Sequence, residues 1–261
     1  MQSPSFTAAV SHLTQDQNPR VWSLLISVFG DLAQDEGSQV SGALLSQLTE
    51  KIGIKPEAMR VAIHRLRKEG WIDSQRIGRN SVYFLTPWGR AQSAQATPRI
   101  YADGPAADHA WLAVFNPSKP VQGDTAAGTW VSSNVLVTAQ QPASLQAFVT
   151  PLTAQTAVPD WISAKICERQ TLQMCEGFAA ALCRAAPQLA PVLPPLEVAA
   201  LRVLVVHGWR RIILKTPLLP DHVFAKGWAG PQCREMVAAL LAQYPTPRLD
   251  TLEAAAKDVV G

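Results

Sequence analysis

The chain has 261 residues, of which 48% are hydrophobic, and a formal net charge of +3 at pH 7. This length allows two or three domains, and the hydrophobic content is that of a globular protein, which excludes a disordered chain. No basic segment at the start leads into an apolar one, and no apolar run approaches the roughly 18 residues of a membrane helix. We therefore expect neither a secretory signal nor a membrane span.

The positive charge is concentrated in one segment. Residues 55–90 contain 8 Lys or Arg and 3 Asp or Glu, whereas residues 101–261 contain 12 of each. A local excess of cations indicates an anionic partner and says little about the fold. The four cysteines form no CxxC pair, so we expect buried free thiols, as in a cytoplasmic protein.

The N-terminal part of the chain shows three helical segments after a polar arm. Residues 1–18 are irregular and predict a loose arm, and the apolar spacing from Arg20 predicts the first helix. A second helix should begin with Ser41 as its N-cap and end near Gly53. Pro56 should open the third helix at its first turn, where a missing N–H costs nothing.

Two β-like runs, WIDSQRI and SVYFLT, follow the third helix with GRN between them, which indicates a hairpin. A helix-turn-helix followed by a hairpin is the winged-helix arrangement of DNA-binding proteins. We therefore predict a winged helix-turn-helix domain with an N-terminal arm at residues 1–98, whose last residues form a helical tail or linker.

The remaining chain divides where its composition changes. Residues 99–166 are rich in Pro, Gly, Ala and Thr, with β-like runs AWLAVFN, TWVSSNVLVTA and DWISAKI and a short helix around ASLQAFV. This pattern predicts a small α+β middle domain. Residues 167–261 return to helical spacing and predict a helical C-terminal domain. The predicted fold class is therefore α+β and multidomain.

The third helix separates apolar from charged side chains. Met59, Ala62, Ile63 and Leu66 share one face, and the cations occupy the opposite face and its shoulders. Such a helix fits the major groove of DNA, with its first half at the base edges. For base contacts we predict Glu57, Arg60, Val61 and His64. For contacts with phosphates or the minor groove we predict Arg65, Arg67 and Lys68 on the helix, and Arg76, Arg79, Asn80 and Ser81 at the hairpin tip.

Two motifs of the chain resemble the PaaX-like family of phenylacetate-degradation transcriptional repressors. The run LLSQLTEKIGIKPEAMRVAIHRLRKEGW and the hairpin after it are similar to the winged helix of the family. LRVLVVHGWRRIILKTPLLPDHVFAKGWAG is similar to its C-terminal signature. The resemblance implies a bacterial repressor that binds double-stranded operator DNA as a homodimer and is released by phenylacetyl-CoA or a related acyl-CoA. It also implies a ferredoxin-like middle domain similar to Cas2.

The chain departs from the family pattern at three places. Lys55 stands where a capping residue is expected, and Thr216 replaces the aspartate of the family's DPLLP turn. The linker PSKPVQGDTAAG between the first two β-like runs of the middle domain has no helical spacing, although a ferredoxin-like unit has a crossover helix there. We therefore expect an abridged middle domain.

The C-terminal motif offers a candidate effector site. His207, Trp209, Arg210 and Arg211 lie on one predicted helix, where the arginines could donate to a CoA phosphate or an inducer carboxylate. The alternative is that Trp209 packs in the core while the arginines cap and pair at the helix end.

Two other functions compete with gene regulation. An enzyme acting on a small acid or CoA ester needs a nucleophile and a base, and the sequence has no GxSxG, GxGxxG or P-loop motif. A Cas2-like nucleic-acid-processing module needs an acidic metal site where the first β-like run ends, at Asn116. The histidines also lack metal-binding spacing. We therefore expect no enzyme, no cofactor and no metal site.

Overall fold

The computed structural model of the protein describes residues 2–15, 20–78, 80–118, 128–142 and 147–258. The fold is α+β, and the chain divides into two compact units. Unit 1 comprises residues 1–101, 180–210 and 236–261. Unit 2 comprises residues 102–179 and 211–235. The division into three domains along the sequence stays a prediction.

The first segment of unit 1 contains five helices and a small sheet among its described residues. They are α1 (Pro4–Thr14), α2 (Val21–Leu32), β1 (Val40–Ser41), α3 (Gly42–Lys51), α4 (Pro56–Lys68), β2 (Ile72–Ile77), β3 (Asn80–Leu85) and α5 (Pro87–Ile100). The strands form an antiparallel sheet of order β1-β3-β2. The predicted second and third helices and the hairpin are confirmed in their positions.

The ends of α3 and α4 follow from local chemistry. Ser41 Oγ accepts a hydrogen bond from the backbone N–H of Leu44 at 3.1 Å, as an N-cap does. Gly53 takes a positive φ of 79° directly after α3, a conformation that glycine adopts without steric cost. Pro56 is the first residue of α4, and the N-cap residue Lys55 provides no side-chain hydrogen bond. The predicted start of α4 without a side-chain cap is therefore confirmed.

The C-terminal part of the chain is helical, as predicted. Its helices are α7 (Arg169–Ala185), α8 (Pro195–Ile213), α9 (Gly230–Gln243) and α10 (Leu249–Asp258), and the division between the two units falls within α7, α8 and α9. Among the described residues, no helix combines the length and the apolar character needed to cross a membrane.

The core of unit 1 joins distant parts of the sequence. Buried leucines of α2 and α3, such as Leu24 and Leu45, belong to the same unit as buried Leu252 of α10. Hydrogen bonds that involve backbone groups also join these distant parts of the sequence. The N–H of Ser41 donates to Glu253 Oε1 at 2.7 Å, and Gln47 Nε2 donates to the carbonyl of Ala256 at 2.8 Å. The N-terminal helices therefore form one compact unit together with C-terminal residues.

Unit 2 is built on a four-stranded antiparallel sheet. Its elements include β4 (Ala110–Phe115), β5 (Gly128–Ser132), β6 (Val135–Thr138), β7 (Ala147–Leu152) and α6 (Asp160–Ile166). The strand order is β5-β6-β4-β7, and every neighbouring pair is antiparallel. One face of the sheet packs Val137 and Leu152 against Ile162 of α6 and Phe224.

Three sequence predictions are wrong over the described residues. The arm contains α1, because Phe6, Ala9 and Leu13 supply a buried stripe. DWISAKI forms α6, opened by Pro159 as N-cap and Asp160 in the first turn, two helix-start signals that outweigh the β-like apolar run. ASLQAFV was expected to be helical, but its residues 147–149 lie in β7, and its residues 143–146 fall outside the described part of the chain.

The expectation for the cysteines holds for three of the four. Cys167, Cys175 and Cys233 are buried free thiols, whereas Cys183 is exposed. Burial raises the pKa of Cys167 to about 11, because the thiolate would lose its hydration.

Candidate nucleic-acid interface

Helix α4 turns one face into the core of unit 1. Met59, Ala62, Ile63 and Leu66 are between 0% and 7% exposed, in agreement with the predicted apolar stripe. Met59 also accepts hydrogen bonds at its sulfur from Ser46 and Thr49 of α3. Because these side chains fix the rotation of α4 about its axis, the identity of the outward side chains is fixed as well.

The opposite face of α4 is exposed and polar, apart from one valine. Glu57, Arg60 and His64 are exposed, and Val61 lies among them with 70% of its surface accessible. Arg60 Nη1 lies 3.7 Å from Glu57 Oε1, and both side chains are more than 70% exposed. An ion pair in water contributes little, so both groups can exchange this contact for another partner at low cost.

Arg65 is held more firmly than its neighbours. Its Nε donates to Glu69 Oε1 at 2.7 Å, and its guanidinium carbon lies 4.3 Å from the centre of the Trp22 ring. This cation–π contact joins α4 to the start of α2. The sequence did not predict this contact, because the residues around Trp22 at the start of a helix do not indicate which distant side chain it will contact.

The hairpin presents a second polar group of side chains. Ile77 pairs with Asn80 in the register, Gly78 has a φ of 61°, and Arg76 Nε donates to the carbonyl of Gly78 at 3.2 Å. The predicted residues Arg76, Asn80 and Ser81 are exposed, and Arg79 falls outside the described residues. Ile77 is 53% exposed at this tip, an apolar neighbour of the cations that the prediction did not include.

The structure therefore exposes every described member of the predicted DNA-contacting set. These are Glu57, Arg60, Val61, His64, Arg65, Arg67, Lys68, Arg76, Asn80 and Ser81. Helix α4 and β2 contact each other, so the helix and the hairpin belong to one continuous body. The roles assigned to the individual residues stay predictions.

The candidate effector residues of α8 lie mostly inside the protein. His207 and Trp209 are each 1% exposed, and His207 Nδ1 lies 3.3 Å from Ser27 Oγ of α2. Arg210 is half-buried and donates from Nη1 to the carbonyl and Oγ of Ser23, at 3.4 and 3.3 Å. Burial lowers the pKa of Arg210, because the charged guanidinium loses hydration there. Arg211 is also half-buried.

A small cavity adjoins Arg210 within unit 1. It is lined by side chains of α2, α5 and α8, including Ser27, Thr97 and Val206, and has a volume of about 30 Å³. A water molecule in the liquid occupies about the same volume. The described structure of this region therefore has room for water and not for an acyl-CoA.

Helix α8 also carries a buried ion pair that the sequence did not reveal. Arg202 donates from Nη2 and Nε to the two oxygens of Asp31 on α2, at 2.7 and 3.0 Å, and from Nη1 to the carbonyl of Tyr244 at 2.8 Å. Tyr101 donates to the same carboxylate at 2.7 Å. The side chains of Arg202 and Asp31 are 7% and 1% exposed. The pair fastens α2 to α8 and the end of α9 within unit 1.

Sequence comparison agrees with the N-terminal and C-terminal motifs. Transcriptional repressor PaaX from Escherichia coli (strain K12) is 29% identical over an alignment that covers 82% of this chain and 77% of that protein. The structure of uncharacterized protein Rv0674 from Mycobacterium tuberculosis aligns with 90% of this chain and 97% of that one, with a TM-score of 0.45 and 16% identity.

Two family models match the chain, one in each terminal part. The model described as PaaX-like protein matches residues 20–89, and the model described as PaaX-like protein C-terminal domain matches residues 170–252. The first match contains α4 and the hairpin, and the second contains α8. With both matches in the expected order and together spanning more than half of the sequence, the chain belongs to the PaaX-like protein family.

Proposed function

We propose that this protein is a bacterial transcriptional repressor that binds operator DNA through a winged helix. In this proposal α2, α3 and α4 form the helical part, α4 enters the major groove, and the β2–β3 hairpin is the wing. Support comes from the order of the elements, from the sheet β1-β3-β2 that joins the wing to the helices, and from the E. coli relative, which is named a transcriptional repressor.

The observation that carries the proposal is the division of α4 into a buried and an exposed face. Four apolar residues anchor one side of the helix, and Arg60, His64 and Lys68 point away from the core. Amphipathic helices commonly carry charged outer faces, but α4 contains four Lys or Arg residues and one carboxylate, so its charge is mostly positive. A helix that contacts DNA needs a fixed rotation and a positive outer face, because phosphates dominate the affinity.

The side chains at the start of α4 would contact base edges. Arg60 can donate two hydrogen bonds to guanine O6 and N7, and Glu57 can accept from cytosine N4. Their weak mutual ion pair would break on binding. Val61, exposed between them, suits the methyl group of thymine.

Arg67 and Lys68 at the end of α4 and Arg76, Arg79, Asn80 and Ser81 of the wing would contact the backbone or the minor groove. Arg65 can do so with the N–H groups that its contact with Glu69 leaves available. Phosphate contacts fix the orientation of the protein on DNA and carry no sequence information themselves.

We further propose that the protein acts as a homodimer on an operator of aromatic-compound catabolism and is released by an acyl-CoA. Two-fold symmetric dimers are the usual way in which winged-helix proteins bind two half-sites. The domains would be a winged helix at residues 1–98, a middle domain at 99–166 and a helical domain at 167–261. Within the middle domain, the strands β7, β4, β6 and β5 follow the order 4-1-3-2 of a ferredoxin-like sheet, and the described residues 116–118 and 139–142 of its connections form no helix.

The experiment is a titration of the labelled DNA upstream of the gene with the full-length protein. We expect a dissociation constant in the nanomolar range that weakens steeply as the salt concentration rises. The variant Arg60→Ala should lose about 1–3 kcal/mol of binding free energy and accept other bases at one position.

The matched control for this titration is Arg184→Ala, which removes an exposed arginine of α7. It should bind the operator as the parent protein does. Equal binding of Arg60→Ala and the parent to operator and random duplexes would overturn the assignment of α4. Light scattering of the complex gives the number of protomers.

A further inference from the structure

We propose that the effector binds in a cleft of unit 2 and that it is an aromatic compound that also carries a carbonyl group. This inference rests on the proposed function, since it supplies the effector site of that repressor. It replaces the candidate site beside α8 with residues that, apart from His222, lie outside both motifs and both family matches.

The two candidate sites differ more than tenfold in volume. The cavity at Arg210 measures about 30 Å³, whereas the cleft in unit 2 measures about 430 Å³. Small-molecule sites in proteins are usually about 300–1,000 Å³. His207 and Trp209 are also almost completely buried, so a ligand could reach them only after α8 had repacked. The cleft accepts a small molecule without such a change.

The cleft lies where β4 begins and β7 ends. Its lining includes Asp108, His109 and Trp111 from one side, Pro151 and Thr153 from the other, and His222. Trp111 and Pro151 are partners in the register of β4 and β7. The position of the aromatic wall is therefore fixed by the sheet and does not depend on a loop.

The apolar part of the lining suits a flat ring. Trp111 is half-buried, with part of its indole accessible in the cleft, and Pro151 adds a second rigid apolar surface. Aromatic rings stack favourably on indole faces, and a rigid wall loses little conformational entropy when a ligand binds.

The polar part of the lining includes two histidines and one carboxylate. His222 lies 2.9 Å from the carbonyl of Leu152 through Nε2. Because a carbonyl oxygen can only accept, this nitrogen carries the proton. His109 is exposed at the rim and can donate to a ligand, while Asp108 disfavours an additional negative charge. The described lining contains no Lys or Arg, so it is not built for a phosphate. A ring with a carbonyl group fits both parts of the lining.

The same ring and carbonyl group occur in an aromatic acid and in its CoA thioester. In the thioester the acyl end would fill the cleft, and the charged nucleotide end would remain in solvent. The experiment therefore compares phenylacetyl-CoA, phenylacetate and CoA by calorimetry with the full-length protein in the absence of DNA. We expect phenylacetyl-CoA to bind more tightly than phenylacetate, because it presents no carboxylate to Asp108, and we expect CoA alone not to bind.

Two cleft variants and two controls locate the site. His109→Ala and Trp111→Ala should each weaken phenylacetyl-CoA binding about tenfold or more, which corresponds to at least about 1.4 kcal/mol. Trp161→Ala removes an exposed tryptophan of α6 outside the cleft, and Arg210→Lys tests the α8 site. Both controls should bind within about twofold of the parent. Thermal melting identifies any variant that is not folded, and His109→Ala changes an exposed side chain with little effect on folding.

The outcomes separate this inference from the proposed function. Loss of ligand binding in Arg210→Lys but not in the cleft variants would overturn the cleft, as would the absence of binding by both aromatic ligands. Operator titration without ligand tests the repressor function by itself. His109→Ala should bind the operator normally and resist release by phenylacetyl-CoA.

Discussion

Helices α4 and α8 carry similar residues in a similar order, and the structure places them in opposite surroundings. Each has an arginine followed within five residues by a histidine, Arg60 and His64 in one and Arg202 and His207 in the other. The α4 pair is exposed, whereas Arg202 is 6% and His207 1% exposed. The difference arises from the apolar residues around them, which form a stripe in α4 and surround α8 on nearly every side.

A basic motif can therefore form a binding surface only where the spacing of the apolar residues leaves its cationic side chains exposed to solvent. In α8 the charge of Arg202 is satisfied internally by Asp31 and a backbone carbonyl. In α4 the charge of Arg60 has only a weak, exposed ion pair with Glu57 and remains available to a ligand. Removing an arginine should therefore affect stability in one helix and DNA binding in the other.

The largest effect is expected from Arg202→Ala. This change leaves the carboxylate of Asp31 buried without its cation, which costs about 3–5 kcal/mol of unfolding free energy. Urea denaturation followed by circular dichroism measures the loss. The control Arg60→Ala should stay within about 0.5 kcal/mol of the parent, since its side chain is exposed. Equal stability of the two variants would remove the distinction between the helices.

The next effect is expected from the double variant Arg67→Ala/Lys68→Ala. Both side chains are exposed at the end of α4, so stability should hardly change. If each contacts a phosphate, the slope of log affinity against log salt concentration should become shallower by about 2. Fluorescence anisotropy at several salt concentrations gives the slope. An unchanged slope would show that the end of α4 does not touch DNA.

A smaller effect is expected from Trp22→Leu. It removes the ring beneath the Arg65 guanidinium. Loss of the cation–π contact should lower the free energy of unfolding by about 0.5–1 kcal/mol, and lost packing should lower it further. Arg65→Gln in the Trp22→Leu background completes a double-mutant cycle, which isolates the contact between the two side chains. A coupling energy near zero would mean that the stacked geometry does not stabilise α4.

The smallest effect is expected in alkaline solution at Tyr101. Burial and the carboxylate of Asp31 raise the pKa of its hydroxyl above the ordinary value. Because the folded state holds the proton more tightly, the contribution of Tyr101 to stability is complete below its ordinary pKa of about 10 and is lost as the pH rises above that value. Tyr101→Phe should therefore flatten the decline of the urea midpoint above about pH 10. An identical decline in both proteins would contradict the role of this hydroxyl.

The local features of α4 could be predicted because they depend on neighbouring residues. The Ser41 cap, the start at Pro56 and the apolar stripe all follow from short-range rules, and the structure confirms them. The hairpin was predictable for the same reason. The sequence therefore predicted which side chains of the candidate interface are exposed.

The remaining features depend on partners far away in the sequence. Helix α1 is stabilised by burial of Phe6 and by the bond from the N–H of Ser3 to Glu197, which no local pattern announces. The Arg202–Asp31 pair joins residues 171 positions apart. The burial of His207 and Trp209 likewise follows from the packing around α8.

The bonds from Ser41 to Glu253 and from Gln47 to Ala256 have a consequence for biosynthesis. Helix α3 is synthesised early, but its partners in α10 follow 212 and 209 positions later in the chain. Contacts between such distant positions form slowly and late. The nascent chain therefore cannot finish the compact unit that carries α4 until α10 has left the ribosome. A product truncated before α10 would expose the apolar side chains that α10 covers, which makes it a substrate for chaperones and proteases.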